Sequence, residues 1–509
     1  MLSLASITLT FTFWGYLAVA SSTHFSGATI IAFDENSESL RIIRNGSILV
    51  ENDRITAISE ATTIDNTSGD TITVDVTGQI ITPGFIDTHR HGWQTAFKTL
   101  GSNTTLADYL GRFSEFTAAT LFSPEDVYVG QLAGIYENLN GGVTTILDHA
   151  HHTWSNITAY AGLNASIDSK ARVFWSYTFH NISSLNYTIS DQIPNFREIA
   201  ESNILHGTTT ELGIAFDSFG PNNNIEEVQR IVNLAREYNV SVITTHALGG
   251  PWGIANSPED VHLFGILNDT FPVVFSHASF LTATGAELLR LTNQYISITP
   301  ESEMHYGQGN KNSHLIQDQA CLGVDTHFTF SPDILTQARM WLQSMRHYAY
   351  ALVLDQWRVP SYNPMSVTQA FHLATRAGGL ALRRPDIGVI KIGAKADLVV
   401  WNARESPSML GWVDPVAAVM LHASVGDVFH VMVDGEFVKR DGKLLSSDYP
   451  ELRKKFLSSA RAIQSKSLAI PPPVLTGTFP LSSYEYQQPQ QMDTKRGQGN
   501  GYGQLYIQT

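Results

Sequence analysis

Between residues 83 and 382, eight short apolar runs alternate with stretches of helical character. The runs are Gly84–Thr88, Thr144–Asp148, Arg172–Tyr177, Glu211–Phe216, Ser241–Thr245, Val273–Ser276, Tyr295–Thr299 and Ala320–Val324. Helical stretches such as Pro124–Asn138, Ile225–Tyr238, Gly285–Asn293 and Ile334–Ala349 lie between them, and Ser366–Ala381 would be the eighth. Apolar runs without polar alternation read as parallel strands covered by helices on both faces. Eight such units predict a (β/α)8 TIM barrel, an α/β fold whose active site lies at the C-terminal strand ends.

The two ends of the chain have a different texture. Thr29–Phe33, Ser47–Glu51, Ile55–Ser59 and Thr71–Val76 are short β-type runs separated by Asn, Asp and Gly, and similar runs return at Gly388–Ile390, Asp397–Trp401 and Val428–Phe437. The expectation is one small composite β-sandwich domain, residues 21–82 plus 383–445, with the barrel at 83–382. A C-terminal helix at 446–470 follows. The Pro-, Gln- and Gly-rich segment 471–509 is expected to be disordered.

The predicted strand ends carry an unusual density of metal-binding side chains. Strand one ends in His89-Arg90-His91, strand two in Asp148-His149-Ala150-His151-His152, strand five in His246, strand six in His277 and strand eight in Asp325. Residues i and i+2 of a strand share a face, so His89 and His91 can reach one point together. With His246 and Asp325 they would form a three-histidine, one-aspartate site with a position left for water. A divalent metal in such a site lowers the pKa of its water to about 7.

These motifs make the chain similar to the amidohydrolase superfamily, in the branch of cytosine deaminase, the triazine hydrolases and the methylthioadenosine deaminases. The resemblance rests on Thr82-Pro83-Gly84-Phe85-Ile86-Asp87-Thr88-His89-Arg90-His91, Gly142-Val143-Thr144-Thr145, His246, His277 and Leu322-Gly323-Val324-Asp325. It extends to Ala374-Thr375-Arg376-Ala377-Gly378 and Gly393-Ala394-Lys395-Ala396-Asp397-Leu398. It implies His89, His91, His246 and Asp325 as ligands of one divalent metal, zinc first and iron second. It implies Asp325 as the group that takes the proton of the attacking water, and His277 as the group that orients water or polarises the substrate. The expected reaction is hydrolysis of a carbon–nitrogen bond, other than a peptide bond, in a small cyclic molecule. The family's deaminases place a glutamate three residues after the strand-five histidine, where this chain has Gly249. Glu301 or Glu303 could supply the carboxylate from another wall, with Glu301 taken as the catalytic candidate. The missing glutamate also leaves open amide, ester or halide hydrolysis, or decarboxylation. His151, Trp93 and His305 are the candidate substrate contacts, and His149 and His152 would line the pocket behind them. Arg90 faces away from the ligands and is expected to be structural. Strand four has no lysine to bridge a second metal.

With 47 acidic and 32 basic side chains the net charge is −15, which offers no field for nucleic acid. The partner expected is a small-molecule substrate, with a homo-oligomer as a further expectation. Residues 1–20 are apolar or hydroxylated and end in Ala18-Val19-Ala20, which resembles a secretory signal peptide; an uncleaved signal anchor, and with it a membrane, is the alternative. Nine Asn-x-Ser/Thr sequons, at Asn45, Asn66, Asn103, Asn156, Asn164, Asn181, Asn186, Asn239 and Asn268, fit a secreted glycoprotein. Cys321 is the lone cysteine, so no internal disulfide forms.

Overall fold

The computed structural model describes residues 22–65, 67–310 and 312–489. Residues 1–21 (which include the expected signal peptide), Asn66, Lys311 and residues 490–509 lie outside the described residues. Seventeen strands form two sheets. The N-terminal strands are β1 (Ser22–Asp34), β2 (Ser39–Glu51), β3 (Arg54–Ser59), β4 (Ile72–Asp75) and β5 (Ile80–Pro83). The barrel strands are β6 (Phe85–Arg90), β7 (Val143–Ala150), β8 (Arg172–Phe179), β9 (Thr210–Phe216), β10 (Ile243–Ala247), β11 (Val273–His277), β12 (Tyr295–Ile298) and β13 (Ala320–Leu322). The C-terminal strands are β14 (Leu398–Trp401), β15 (Val428–Val433), β16 (Glu436–Arg440) and β17 (Lys443–Leu444).

Strands β6 to β13 pair in sequence order, all parallel, as the eight apolar runs predict. The remaining gap is closed at the C-terminal end of the strands. Val324 N–H and Asp325 N–H both donate to His89 O, at 3.0 and 2.7 Å, and Arg90 bridges Asp325. Gly323 permits this approach, because a β-carbon there would lie 2.8 Å from His89 N. Ile86, Leu147, Phe174, Val242, Val274 and Cys321 fill the interior below the site. Helices with strong caps wrap the outside: Ser123 and Asp126 form a reciprocal capping box on the helix Pro124–Asn140, which has proline at its first position.

The chain ends join in one nine-stranded sheet, ordered β17-β16-β15-β14-β5-β1-β2-β3 with β4 on β1. It folds over a core of its own that includes Phe25, Ile30, Ile48, Val400 and Met432. Its junction with the barrel is both apolar and ionic. Trp401 packs on Phe85, and its Nε1–H donates to Thr82 Oγ1 at 3.0 Å. The buried Arg172 guanidinium donates to both Asp397 oxygens, at 2.9 and 3.1 Å, and to Asp434 at 2.7 Å.

The helix Tyr449–Leu468 follows, and Gln464 Nε2–H donates to Ala96 O at 2.9 Å. Residues 471–489, the described part of the segment expected to be disordered, make defined contacts. Phe479 and Tyr484 pair through their backbones, Thr478 bridges Glu485, and the Phe479 ring stands edge-on to Trp252 at 5.5 Å. Buried aromatic area anchors a segment whose overall composition is polar. No helix among the described residues is long and apolar enough to cross a membrane.

Arg172→Ala leaves Asp397 facing a buried void of charge. Unfolding by guanidinium should show a loss of about 3–5 kcal/mol, and a loss under about 1 kcal/mol would show that the apolar junction holds the two units without the ion pair.

Candidate metal centre

His89 and His91 lie on the face of β6 that looks into the barrel mouth, and both are buried. Arg90, between them, points outward against the helix Pro124–Asn140, donating to Asn138 Oδ1 and to Gly134 O. These acceptors are neutral, and Asn138 in turn donates to Asp87 at 3.3 Å, which gives Arg90 a structural role. His246 ends β10, and Asp325 follows β13.

Each of the three imidazoles has its Nδ1 engaged by an oxygen: His89 with Ser276 Oγ at 2.8 Å, His91 with His149 O at 3.1 Å, and His246 with Asp217 Oδ2 at 2.8 Å. A carbonyl and a carboxylate can only accept, so His91 and His246 carry their protons on Nδ1, leaving the Nε2 lone pairs free. Those lone pairs converge. His246 Nε2 is 3.3 Å from His91 Nε2, and Asp325 Oδ1 is 3.1 Å from His91 Nε2 and 3.4 Å from His89 Nε2. A tetrahedral shell with bonds of about 2.0–2.1 Å has ligand–ligand edges of about 3.3 Å. His89 Nε2 is buried and has no hydrogen-bond partner. The four donors therefore fit a divalent cation.

Electrostatics agree with that arrangement. Burial drives the His89 pKa well below its ordinary value and keeps the ring neutral. Burial would raise Asp325, but its closeness to the His89, His91 and His277 imidazoles outweighs it and holds the carboxyl well below the usual carboxylate range. Burial would likewise lower His246, and the charge of Asp217 overrides it. Asp217, itself held ionised mainly by His246 and His149 against its burial, also accepts the backbone N–H of His246 at 2.7 Å. His277 and Asp325 adopt left-handed backbone, φ +70° and +66°, a conformation that costs a β-carbon-bearing residue about 1–3 kcal/mol and recurs at functional sites.

A cavity of about 660 Å³ opens above the donors. His91, His246, His277 and Asp325 line it, with His151 and Glu115 on one wall and Pro480 and Leu481 of the tail on another. His151 is where the sequence places it, stacked on His91 at 3.9 Å. His149 sits behind, its Nε2 3.3 Å from Asp217 Oδ2; His149, His151 and His246 form a second convergent group that shares His246 with the first. His152 turns away beneath Trp175.

Three expected site residues are not brought there. Trp93 is buried in an aromatic cluster, 5.0 Å from both Phe122 and Trp154, and does not reach the cavity. Glu301 points to the helix Ile334–Leu354, where its carboxylate and backbone N–H engage the Gln337 amide at 3.0 Å. His305 bonds to Gly101 O at 3.0 Å and ties down a loop. Glu303, the other candidate, is fully buried behind His277: its Oε1 lies 3.6 Å from His277 Nδ1 and accepts Thr299 N–H at 2.9 Å. Asp217 and Glu115 are site residues that the sequence reading passed over. Asp217 ends strand four, so the strand-end rule itself would have found it; Glu115 sits in a long loop with no such signal.

With the geometry in view, the comparisons are consistent. Residues 80–438 match the amidohydrolase family. A 5-methylthioadenosine/S-adenosylhomocysteine deaminase of Pyrococcus horikoshii is 24% identical over 433 residues, covering 81% of this chain and 94% of that protein. A 5′-deoxyadenosine deaminase of Methanobrevibacter smithii is 26% identical over 436 residues, covering 83% and 94%. Among solved structures, an atrazine chlorohydrolase of Arthrobacter aurescens complexed with zinc superposes with a TM-score of 0.73 at 18% identity, covering 86% of this chain and all (100%) of that one. A guanine deaminase of C. acetobutylicum superposes at 0.68 and 17% identity, covering 82% and 100%.

If Asp217 fixes His246, Asp217→Asn should weaken metal affinity about 10–100-fold in a chelator-competition titration, with secondary structure by circular dichroism unchanged; unaltered affinity would remove Asp217 from the centre. The barrel, the convergent donors and the match over more than half its length place the chain in the amidohydrolase family, metal-dependent hydrolases of carbon–nitrogen bonds other than peptide bonds.

Proposed function

We propose that the protein is a zinc-dependent aminohydrolase that removes the exocyclic amino group of a small purine nucleoside, releasing ammonia. The observation that carries this is the set of three imidazoles and one carboxylate at the floor of a cavity walled by Tyr109, Phe179 and Leu248, surfaces suited to a flat ring. The deaminases among its relatives support the substrate class. Zinc is supported by the imidazole-rich donors and by the zinc in the solved chlorohydrolase; iron would suit the same donors and is distinguished by elemental analysis. One ion per chain is the proposed stoichiometry.

Bound at these donors, the ion supplies a water acidified toward about pKa 7. The rest belongs to the chain. Asp325, ionised and facing both His91 and the cavity, takes the proton of the attacking water. Ser302 Oγ–H donates to Asp325 Oδ2 and orients the carboxylate with Oδ1 toward His89 and His91. His277 reaches into the cavity with Nε2 3.9 Å from Asp325 Oδ2, while Thr299 at 2.9 Å from Nδ1 sets the ring plane. From there it can hold the attacking oxygen against the ring carbon.

A second reading, hydrolysis without deamination, is favoured by Gly249. Its φ of +68° and ψ of −155° lie in a region open in practice only to glycine, so this backbone cannot carry the family's glutamate there. Entry into the secretory pathway with N-glycosylation is proposed as well: the eight sequon asparagines among the described residues are all exposed. A mobility shift on glycosidase treatment of the protein from its native host would support this, and none would count against it.

A panel of 5′-methylthioadenosine, 5′-deoxyadenosine, guanine and a chlorotriazine, scored separately for ammonia, acid and chloride, tests the reaction. Ammonia from the adenosine derivatives is expected; chloride or acid alone would favour the second reading. On the active substrate Asp325→Asn should lose at least about 100-fold in kcat, and wild-type turnover in that variant would refute the role.

A further inference from the structure

This inference rests on the deaminase reading and asks which group replaces the glutamate excluded at Gly249. We propose that Glu115 is the carboxylate that touches the substrate and moves protons to its ring nitrogen. Glu115 opens the short helix Glu115–Ala118, in the long segment between β6 and β7, so it approaches from a different wall than strand five. It is buried, yet its side chain lines the cavity. Its Oε2 lies 3.8 Å from His151 Nδ1 and its Oε1 lies 3.8 Å from His180 Nδ1. Those separations are too long for hydrogen bonds, and both Nδ1 atoms are buried without a partner. His151 in turn stacks on His91 at 3.9 Å with planes 18° apart. The carboxylate is therefore one imidazole away from the metal donors, held between two rings that keep it in place without saturating it. Burying a carboxylate in a wall that also contains Phe116 and Phe179 is unfavourable unless something polar arrives to meet it. An amidine edge, a ring nitrogen beside an amino group, is such a partner.

The step balances as follows. Water oxygen bonds to the ring carbon while one water proton goes to Asp325. Glu115, as the acid, gives its proton to the ring nitrogen, so the former C=N bond becomes C–N–H. Glu115 then recovers a proton from the hydroxyl of the tetrahedral adduct. The proton on Asp325 passes to the amino group, the C–N bond to that group breaks, ammonia leaves, and C=O forms. Both carboxyl groups end as they began. In this scheme His151 and His180 are positioning residues.

The test uses the full chain loaded with zinc and 5′-methylthioadenosine as substrate. Glu115→Gln should lower kcat by about 100-fold or more with KM changed less than about fivefold. Glu115→Asp should recover part of the rate, and added formate should raise the rate of Glu115→Ala, because it returns a carboxylate to the vacated wall. Zinc content by elemental analysis should stay at the wild-type value in all three variants. The proposal is overturned if Glu115→Gln keeps kcat within about twofold. It is equally overturned if the variants lose zinc and activity together with no formate rescue, since Glu115 would then be supporting the centre. Release of no ammonia by the wild type would instead defeat the deaminase reading on which the assignment rests.

Discussion

The main-chain hydrogen bond from Asp325 N–H to His89 O, 2.7 Å long, is where fold and site become the same object. It joins the last barrel strand to the first. Together with the Val324 N–H bond to the same oxygen and the His91 N–H bond to Asp325 O, it closes a sheet that would otherwise stay open between β13 and β6. With it, the Asp325 carboxylate is carried to within 3.4 Å of His89 and 3.1 Å of His91. The left-handed backbone at Asp325 is the cost of that closure, and Gly323 next to it is the residue small enough to let the strands meet. This closure is long-range, pairing residues from the two ends of the barrel sequence, a contact whose loop entropy must be overcome before it forms.

A second layer decides what the donors can do. The backbone carbonyl of His149 and the Asp217 carboxylate turn two imidazoles so that each proton faces outward and each lone pair inward, and Ser276 Oγ holds His89 in the same sense. Burial keeps His89 neutral, and Asp217 stays ionised. Nitrogen lone pairs and one ionised oxygen converging at edges of 3.1 to 3.4 Å repel one another unless a cation sits between them. The same layer makes His246 the most polarised of the three, through the negative charge behind its ring.

Much of this was legible from residue pattern, for a physical reason. Parallel strands covered on both faces must be continuous apolar runs, and all eight appear as such between Gly84 and Val324. Function in this architecture must sit at strand ends, so His89, His91, His246, His277 and Asp325 could be read by position alone. Asp217 obeys the same rule, at a strand end that carries no histidine to mark it. What pattern could not supply was side-chain direction in loops. Trp93 and His305 lie close in sequence to site residues and point elsewhere, because aromatic packing and a loop-tying hydrogen bond claim them. Glu301 and Glu303 are two residues apart on one helical turn, which sends one to Gln337 and the other behind His277. Glu115 and the hairpin around Phe479 reach the cavity through tertiary contacts with no local periodicity to announce them.

The central claim is that His89, His91, His246 and Asp325 hold one divalent ion. An anomalous difference map from crystals of the zinc-loaded protein, collected at the zinc edge, addresses it without reference to any substrate. The account predicts one strong peak per chain, about 2.0–2.2 Å from the three Nε2 atoms and from an Asp325 oxygen. A peak centred instead on His149 and His151, or no peak in the barrel mouth at saturating zinc, would contradict it.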